Sequence, residues 1–221
     1  MFLAIALLGS KASAATLADA FGPLPPADQR CIVDVSVTEG ATSIGWRVAT
    51  RGSDTMAVST TLAAGKRQAV LQSAGATWFQ TEGMGKAMRV GLAQRLLGQL
   101  SIGDMVDPRL IAGWQVTGTR ADGTLDAVAT PGSSSSFAKA EFTLSGGRLA
   151  TARFYAPSGA LVRSAAYTFD ATRLTRVDVT DVAHPTRPTV LALGPATCSV
   201  VAWTVASDTL MVSALGLLAA P

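Results

Sequence analysis

Residues 31–62, CIVDVSVTEGATSIGWRVATRGSDTMAVSTTL, alternate apolar and polar side chains with a period of two. In an extended chain, successive side chains point to opposite sides. Cys31, Val33, Val35 and Val37 therefore share one face, and Asp34, Ser36 and Thr38 the other. Ile44, Trp46 and Val48 repeat the pattern, and Met56, Val58, Thr60 and Leu62 continue it. Glu39-Gly40 and Arg51-Gly52-Ser53-Asp54 separate the runs with turn residues. The stretch reads as three half-buried strands in antiparallel succession.

The same signal extends along the chain. Further strands are expected at 68–73, 77–80, 114–119, 124–130, 137–144, 148–155, 161–169, 174–182 and 199–205. Ala121-Asp122-Gly123 and Ser145-Gly146-Gly147 mark hairpins. No βαβ alternation and no fixed-period repeat interrupts this order. The expected fold is mainly β (α+β). One large curved antiparallel sheet over a single domain, residues 15–221, forms a barrel that need not close. The pattern changes between about 83 and 113, where Val90, Leu92, Leu96, Leu97 and Leu100 recur at helical or irregular spacing. Asp104 suits the cap of a short helix through Pro108 to Ile111. This helical insert is longer than an ordinary connection, which gives it the character of a lid. Residues 15–21 suit a short amphipathic helix ended by Gly22-Pro23-Leu24-Pro25-Pro26. Residues 209–220 are apolar but shorter than the roughly 20 that a membrane span needs, so they read as a packed terminal helix.

The chain has 221 residues, of which 48% are hydrophobic, 15% charged and 6% aromatic. Charge this far below the roughly 25% of average domains excludes a disordered, solvated chain. The net charge of +3 is spread along the sequence, so nucleic acid is not an expected partner. One histidine and two cysteines leave no metal-ligand pattern, and no cofactor motif is present. His184 stands beside Pro185 in a loop and is the only obvious base an enzyme would have. Residues 2–8, FLAIALL, followed by Ala12-x-Ala14, have the form of a signal peptide cleaved after Ala14, residues 1–14. A periplasmic, monomeric protein that holds no metal is the resulting expectation. Cys31 and Cys198 stand near the two ends of the fold, either bridged in an oxidising compartment or buried as thiols.

Trp46, Met56, Val58, Leu71, Trp78 and Phe79 in the first half, and Trp114, Phe142, Phe154 and Tyr167 in the second, are expected to share an apolar face. That face is either a dense core or the wall of a hollow. The many small residues and the leucine-rich insert, with Leu96 and Leu97, favour a cavity.

Residues 72–110 carry a resemblance. Trp78-Phe79, Arg95-Leu96-Leu97-Gly98 and Ser101-x-Gly103-Asp104 are similar to the middle of the outer-membrane lipoprotein-sorting, LolA-like family, and the paired strands downstream extend the similarity over about 33–180. The resemblance implies an incomplete β-barrel whose concave side holds helices and shelters acyl chains of lipids or lipoproteins. It implies a carrier, not an enzyme, with an inner-membrane transporter as a further partner. It also implies that Arg95 anchors the insert to the rim of the sheet. A second reading of the same apolar surface is an accessory protein-binding subunit of an envelope transporter complex.

Overall fold

The computed structural model describes residues 17, 20, 28–52, 54–61, 65–97, 99–107, 113–130, 137–171, 173–201, 203 and 205–219. The first half of the chain forms β1 (Arg30–Glu39), β2 (Thr42–Arg51), β3 (Asp54–Ser59), β4 (Gln68–Ser73), β5 (Ala76–Thr81) and β6 (Met88–Arg89). An insert follows, with β7 (Arg95–Leu97), β8 (Leu100–Ser101) and α1 (Ile102–Val106). The second half forms β9 (Trp114–Thr119), β10 (Leu125–Ala129), β11 (Lys139–Ser145), β12 (Arg148–Tyr155), β13 (Leu161–Asp170), β14 (Arg173–Asp181), β15 (Thr189–Leu193) and β16 (Thr197–Ser199). A terminal helix, α2 (Leu210–Leu218), ends the described chain.

All strands except β7 and β8 belong to one antiparallel 14-stranded sheet, in the order β6-β5-β4-β3-β2-β1-β15-β14-β13-β12-β11-β10-β9, with β16 also paired to β1. Each half is a meander. The halves join where Val35 to Glu39 of β1 lie opposite Leu193 to Thr189 of β15. At the β1–β2 turn Gly40 takes φ +58°, a left-handed conformation that suits a residue without Cβ.

The sheet is strongly bent, and the insert shows by how much. α1 packs against β3 and β4, while its Asp104 accepts a hydrogen bond from Arg163 of β13 at 2.9 Å. β4 and β13 are about six strand spacings apart, which would be about 29 Å in a flat sheet. A one-turn helix about 8 Å long reaches both only because the sheet curls around it. The edges β6 and β9 do not pair with each other, so the barrel is open.

Alternation places a large apolar cluster on the inner face, with Val35, Val37, Trp46, Val48, Ala57, Val70, Leu125, Phe142, Phe154, Tyr167, Val177 and Leu191. Leu100, Ile102 and Met105 of the insert complete it, together with Leu17 and Ala20. A second cluster lies on the outer face, where Leu210, Ala214 and Leu217 of α2 cover Ile32, Ala49, Met56, Val58, Ala69 and Leu71. The disulfide Cys31–Cys198 ties β16, and with it the segment leading to α2, to β1.

Three expectations need correction. The insert is mostly extended and turn-like, and only Ile102–Val106 is helical. Ser101 is the N-cap of that helix and Asp104 its third residue, the two forming a reciprocal capping box. The helix therefore begins earlier than expected, and Pro108 to Ile111 lie outside the described residues. β15 is a strand the sequence pattern did not single out, and the last strand is Thr197–Ser199 rather than 199–205. The segment expected as a signal peptide, 1–14, lies outside the described residues, as does most of 15–21.

Candidate functional site

The inner apolar face is closed at one end by a polar latch built on Arg163. β13 brings Arg163, Ala165 and Tyr167 to the same buried side. Arg163 is only 6% exposed. Its Nε donates to Asp181 Oδ1 at 2.9 Å and its Nη1 to Asp104 Oδ2 at 2.9 Å. Its Nη2 donates to the Gln99 carbonyl, and the ring of Phe137 lies 5.1 Å beneath the guanidinium. Burial alone would lower the pKa of Arg163. Asp104 and Asp181 outweigh it and hold the group more firmly protonated than usual. Gln99 completes the latch from the insert. Its Oε1 accepts from the Asp181 N–H at 2.8 Å, and its Nε2 donates to the Arg187 carbonyl at 2.8 Å. Arg95 adds a bond from Nη2 to Asp181 Oδ2 at 3.0 Å. The insert is thus fastened to β13 and β14 by charges and amides whose partners are nearly all satisfied.

Behind the latch the interior is apolar and aromatic. Trp114 lies 5.7 Å from Phe154 and 6.2 Å from Phe142, and Phe142 meets Phe154 edge-on at 6.1 Å. Phe137 continues the group toward the latch at 5.3 Å from Phe154. Burial pushes the Tyr167 hydroxyl well above its ordinary pKa, and the nearby Asp107 and Asp104 push it the same way. On β2, Trp46 is 1% exposed and its indole N–H has no hydrogen-bond partner among the described residues.

A cleft of about 520 Å³ opens beside the latch. The insert supplies Ala93, Arg95 and Ser101, the sheet supplies Leu161, Val162, Arg163 and Asp181, and Phe137 joins them from the segment before β11. Its rim is apolar and wet at once, since Leu161 and Val182 are 37% and 53% exposed. Among the described residues there is no group of three or more side chains suited to a metal ion. Among them, too, no helix is long and apolar enough to cross a membrane.

No family model matches the sequence, and no curated protein does either. Solved structures do resemble the fold. A LolA superfamily protein of Nitrosomonas europaea superposes with a TM-score of 0.67 at 20% identity, over 88% of this chain and 94% of its own. A domain described as an outer membrane lipoprotein-sorting protein, from Vibrio parahaemolyticus, gives 0.58 at 11% identity, over 79% and 86%. A DUF1329 family protein of Desulfovibrio piger gives 0.56 at 14% identity, over 78% and 85%.

The fold is LolA-like.

Within this LolA-like frame the expected cavity residues divide. Trp46, Phe79, Trp114, Phe142, Phe154 and Tyr167 face inward together. Met56, Val58, Leu71 and Trp78 do not join them. They belong to the outer cluster under α2. Strand alternation is the reason. Trp78 and Phe79 are neighbours on β5 and must point to opposite faces, and Leu71 is opposite Trp78 while Val70 is opposite Phe79. Leu96 and Leu97 are in β7, but their side chains lie outside those described. None of the inward-facing six lines the open cleft, whereas Arg95 does. Arg163, Asp181, Asp104 and Gln99 were not anticipated as a group. A charged residue in the buried register of a strand was the available signal for Arg163.

Proposed function

We propose that the protein is a periplasmic carrier that shelters acyl chains of lipids or lipid-modified proteins in transit between envelope membranes. The observation that carries this reading is the inner face itself. An apolar surface drawn from both halves of an open, curled sheet is covered by a short insert, and that insert is held by a polar latch beside an open cleft. A cover fastened by a few localised bonds can open as a unit and expose the apolar surface beneath. The likeness to LolA-type structures supports the same reading. Transfer of alkyl chains from water would supply affinity at about 0.8 kcal/mol per buried CH₂, with no bond made or broken. The interior aromatic residues pack closely, so cargo enters by displacing Leu100, Ile102 and Met105 rather than by filling a ready-made hollow. Protein isolated from the envelope should carry lipid detectable by mass spectrometry, and the lipid-stripped protein should bind an apolar fluorescent dye. Absence of both would overturn the carrier reading.

A second reading, an accessory subunit of an envelope transporter, draws on the outer surface of the C-terminal segment. Val200 and Val212 there are 74% and 75% exposed. In-cell crosslinking from Val212 to a membrane protein, without bound lipid, would favour it.

A further inference from the structure

We infer that the Trp46 indole N–H is a specificity element that donates a hydrogen bond to the acyl carbonyl of the cargo, so that ester-linked or amide-linked chains are preferred over ether-linked ones. This inference rests on the carrier reading and deepens it. Trp46 lies in the middle of the inner face, opposite Val35 of β1 and Ser59 of β3, among residues that form the apolar cluster. Its Nε1 is buried and has no partner among the described residues. Buried donors are nearly always paired, so an unpaired one at a binding surface points to a partner that arrives with the ligand. Phenylalanine would fill most of the same space with no unpaired donor.

The chemistry of the indole narrows the ligand group. Nε1–H donates and cannot accept, so the incoming atom must be an acceptor. The surroundings are apolar, and one neutral donor does not compensate a buried anion, so the acceptor must be uncharged. A carbonyl at the head of an acyl chain meets both conditions and projects its oxygen sideways from the chain toward a donor on the wall, whereas an ether oxygen lies within the chain between methylenes and a plain hydrocarbon offers no acceptor. Among the described residues, Thr189 Oγ1 and Arg30 Nε are also buried without partners. The Thr189 hydroxyl both donates and accepts and so does not discriminate in this way. Arg30 is at the start of β1, opposite Ser199 of β16, away from Trp46.

The test compares two probes on the lipid-stripped full-length protein, monopalmitoylglycerol and hexadecyl glyceryl ether. They share headgroup and chain length and differ in the ester carbonyl. Dye displacement should show the wild type binding the ester about tenfold more tightly, the difference one net hydrogen bond makes. Trp46→Phe should bind both with the wild-type affinity for the ether. Because that variant alters the core, proton–nitrogen spectra of the wild type give an independent readout. The Trp46 indole N–H resonance should move downfield with the ester and not with the ether. Equal binding of the two probes by the wild type, or a preference retained by Trp46→Phe, overturns the inference and leaves the carrier reading intact. If neither probe nor the dye binds, the carrier reading fails and takes the inference with it.

Discussion

Arg163 bonds both to the sheet that carries it and to the insert that covers the interior, so its loss should be felt twice. Replacing it by methionine keeps much of the side-chain volume but leaves Asp181 and Asp104 without their principal cation. Breaking a buried ion pair from one side typically costs about 3–5 kcal/mol. We expect Arg163→Met to lose about 3 kcal/mol in urea unfolding, the lower end, because Arg95 still reaches Asp181. A loss under about 1 kcal/mol would show that the latch contributes little to stability. Arg163 was not singled out from the sequence, although it stands in register with Ala165 and Tyr167 on a strand face that is otherwise apolar. Nor were its partners, because Asp104 and Asp181 come from distant segments that only the curl of the sheet brings together. Glu141, on the outer surface, makes a different prediction. Tyr155 donates to it at 2.6 Å and Arg120 at 2.5 Å, and these bonds hold its carboxyl below the ordinary value. A lowered folded-state value means that the stabilisation is complete above the unfolded value, about 4.5, and is lost as pH falls through the folded one. Glu141→Gln should therefore be less stable than wild type at neutral pH and should show a shallower loss of stability below about pH 4.5. Parallel acid limbs for the two proteins would refute the assignment.

The elements differ in how they are held. α2 buries Leu210, Ala214 and Leu217 and is tied to the sheet by hydrogen bonds. Those bonds run from the Met211 N–H to Gln80 Oε1 at 3.0 Å and from Arg47 to the Leu218 carbonyl at 3.2 Å. The Cys31–Cys198 bridge restrains the unfolded chain across a separation of 167 residues. Loop-closure entropy for such a span amounts to about 5 kcal/mol, and measured effects of native bridges are about 2–5 kcal/mol. Cys198→Ser should accordingly lower unfolding free energy by about 2–5 kcal/mol. Hydrogen exchange should rise in every strand as global stability falls, and rise most in α2 and β16, which the bridge restrains directly. Uniform acceleration across the sheet would mean that the bridge stabilises the whole domain rather than the terminal segment. Elements with long alternating runs were readable from sequence. β15 was not, because Pro188 and Gly194-Pro195 bracket only five residues and make the segment resemble a loop. The insert was misread as helical because its leucines follow no strict period, and here burial under a curved sheet decides the conformation.

At the scale of the whole molecule, the carrier reading requires that the closed state give way. The sheet is a fixed frame, with its two meanders joined at β1 and β15 and its free edges at β6 and β9. The meander order was visible in the sequence, but the seam depended on the unrecognised β15 and the face assignments on a strand register that residues 56–79 do not declare. In the closed state the insert fills the interior with Leu100, Ile102 and Met105, all nearly inaccessible to solvent. On the carrier reading, cargo and insert compete for one volume, and that competition separates a carrier from a domain that merely has a well-filled core. Met105→Ala tests it. Truncation should destabilise the empty protein by about 2–5 kcal/mol, as large-to-small core changes do. The same change removes part of what cargo must displace, so it should strengthen binding of an apolar dye severalfold and make the variant recover much of its lost stability when the dye is present in excess. Urea unfolding with and without dye, on both proteins, measures all of these quantities. A variant that is destabilised but binds dye no better than wild type would show that the interior under α1 is structural core and that any cargo binds elsewhere.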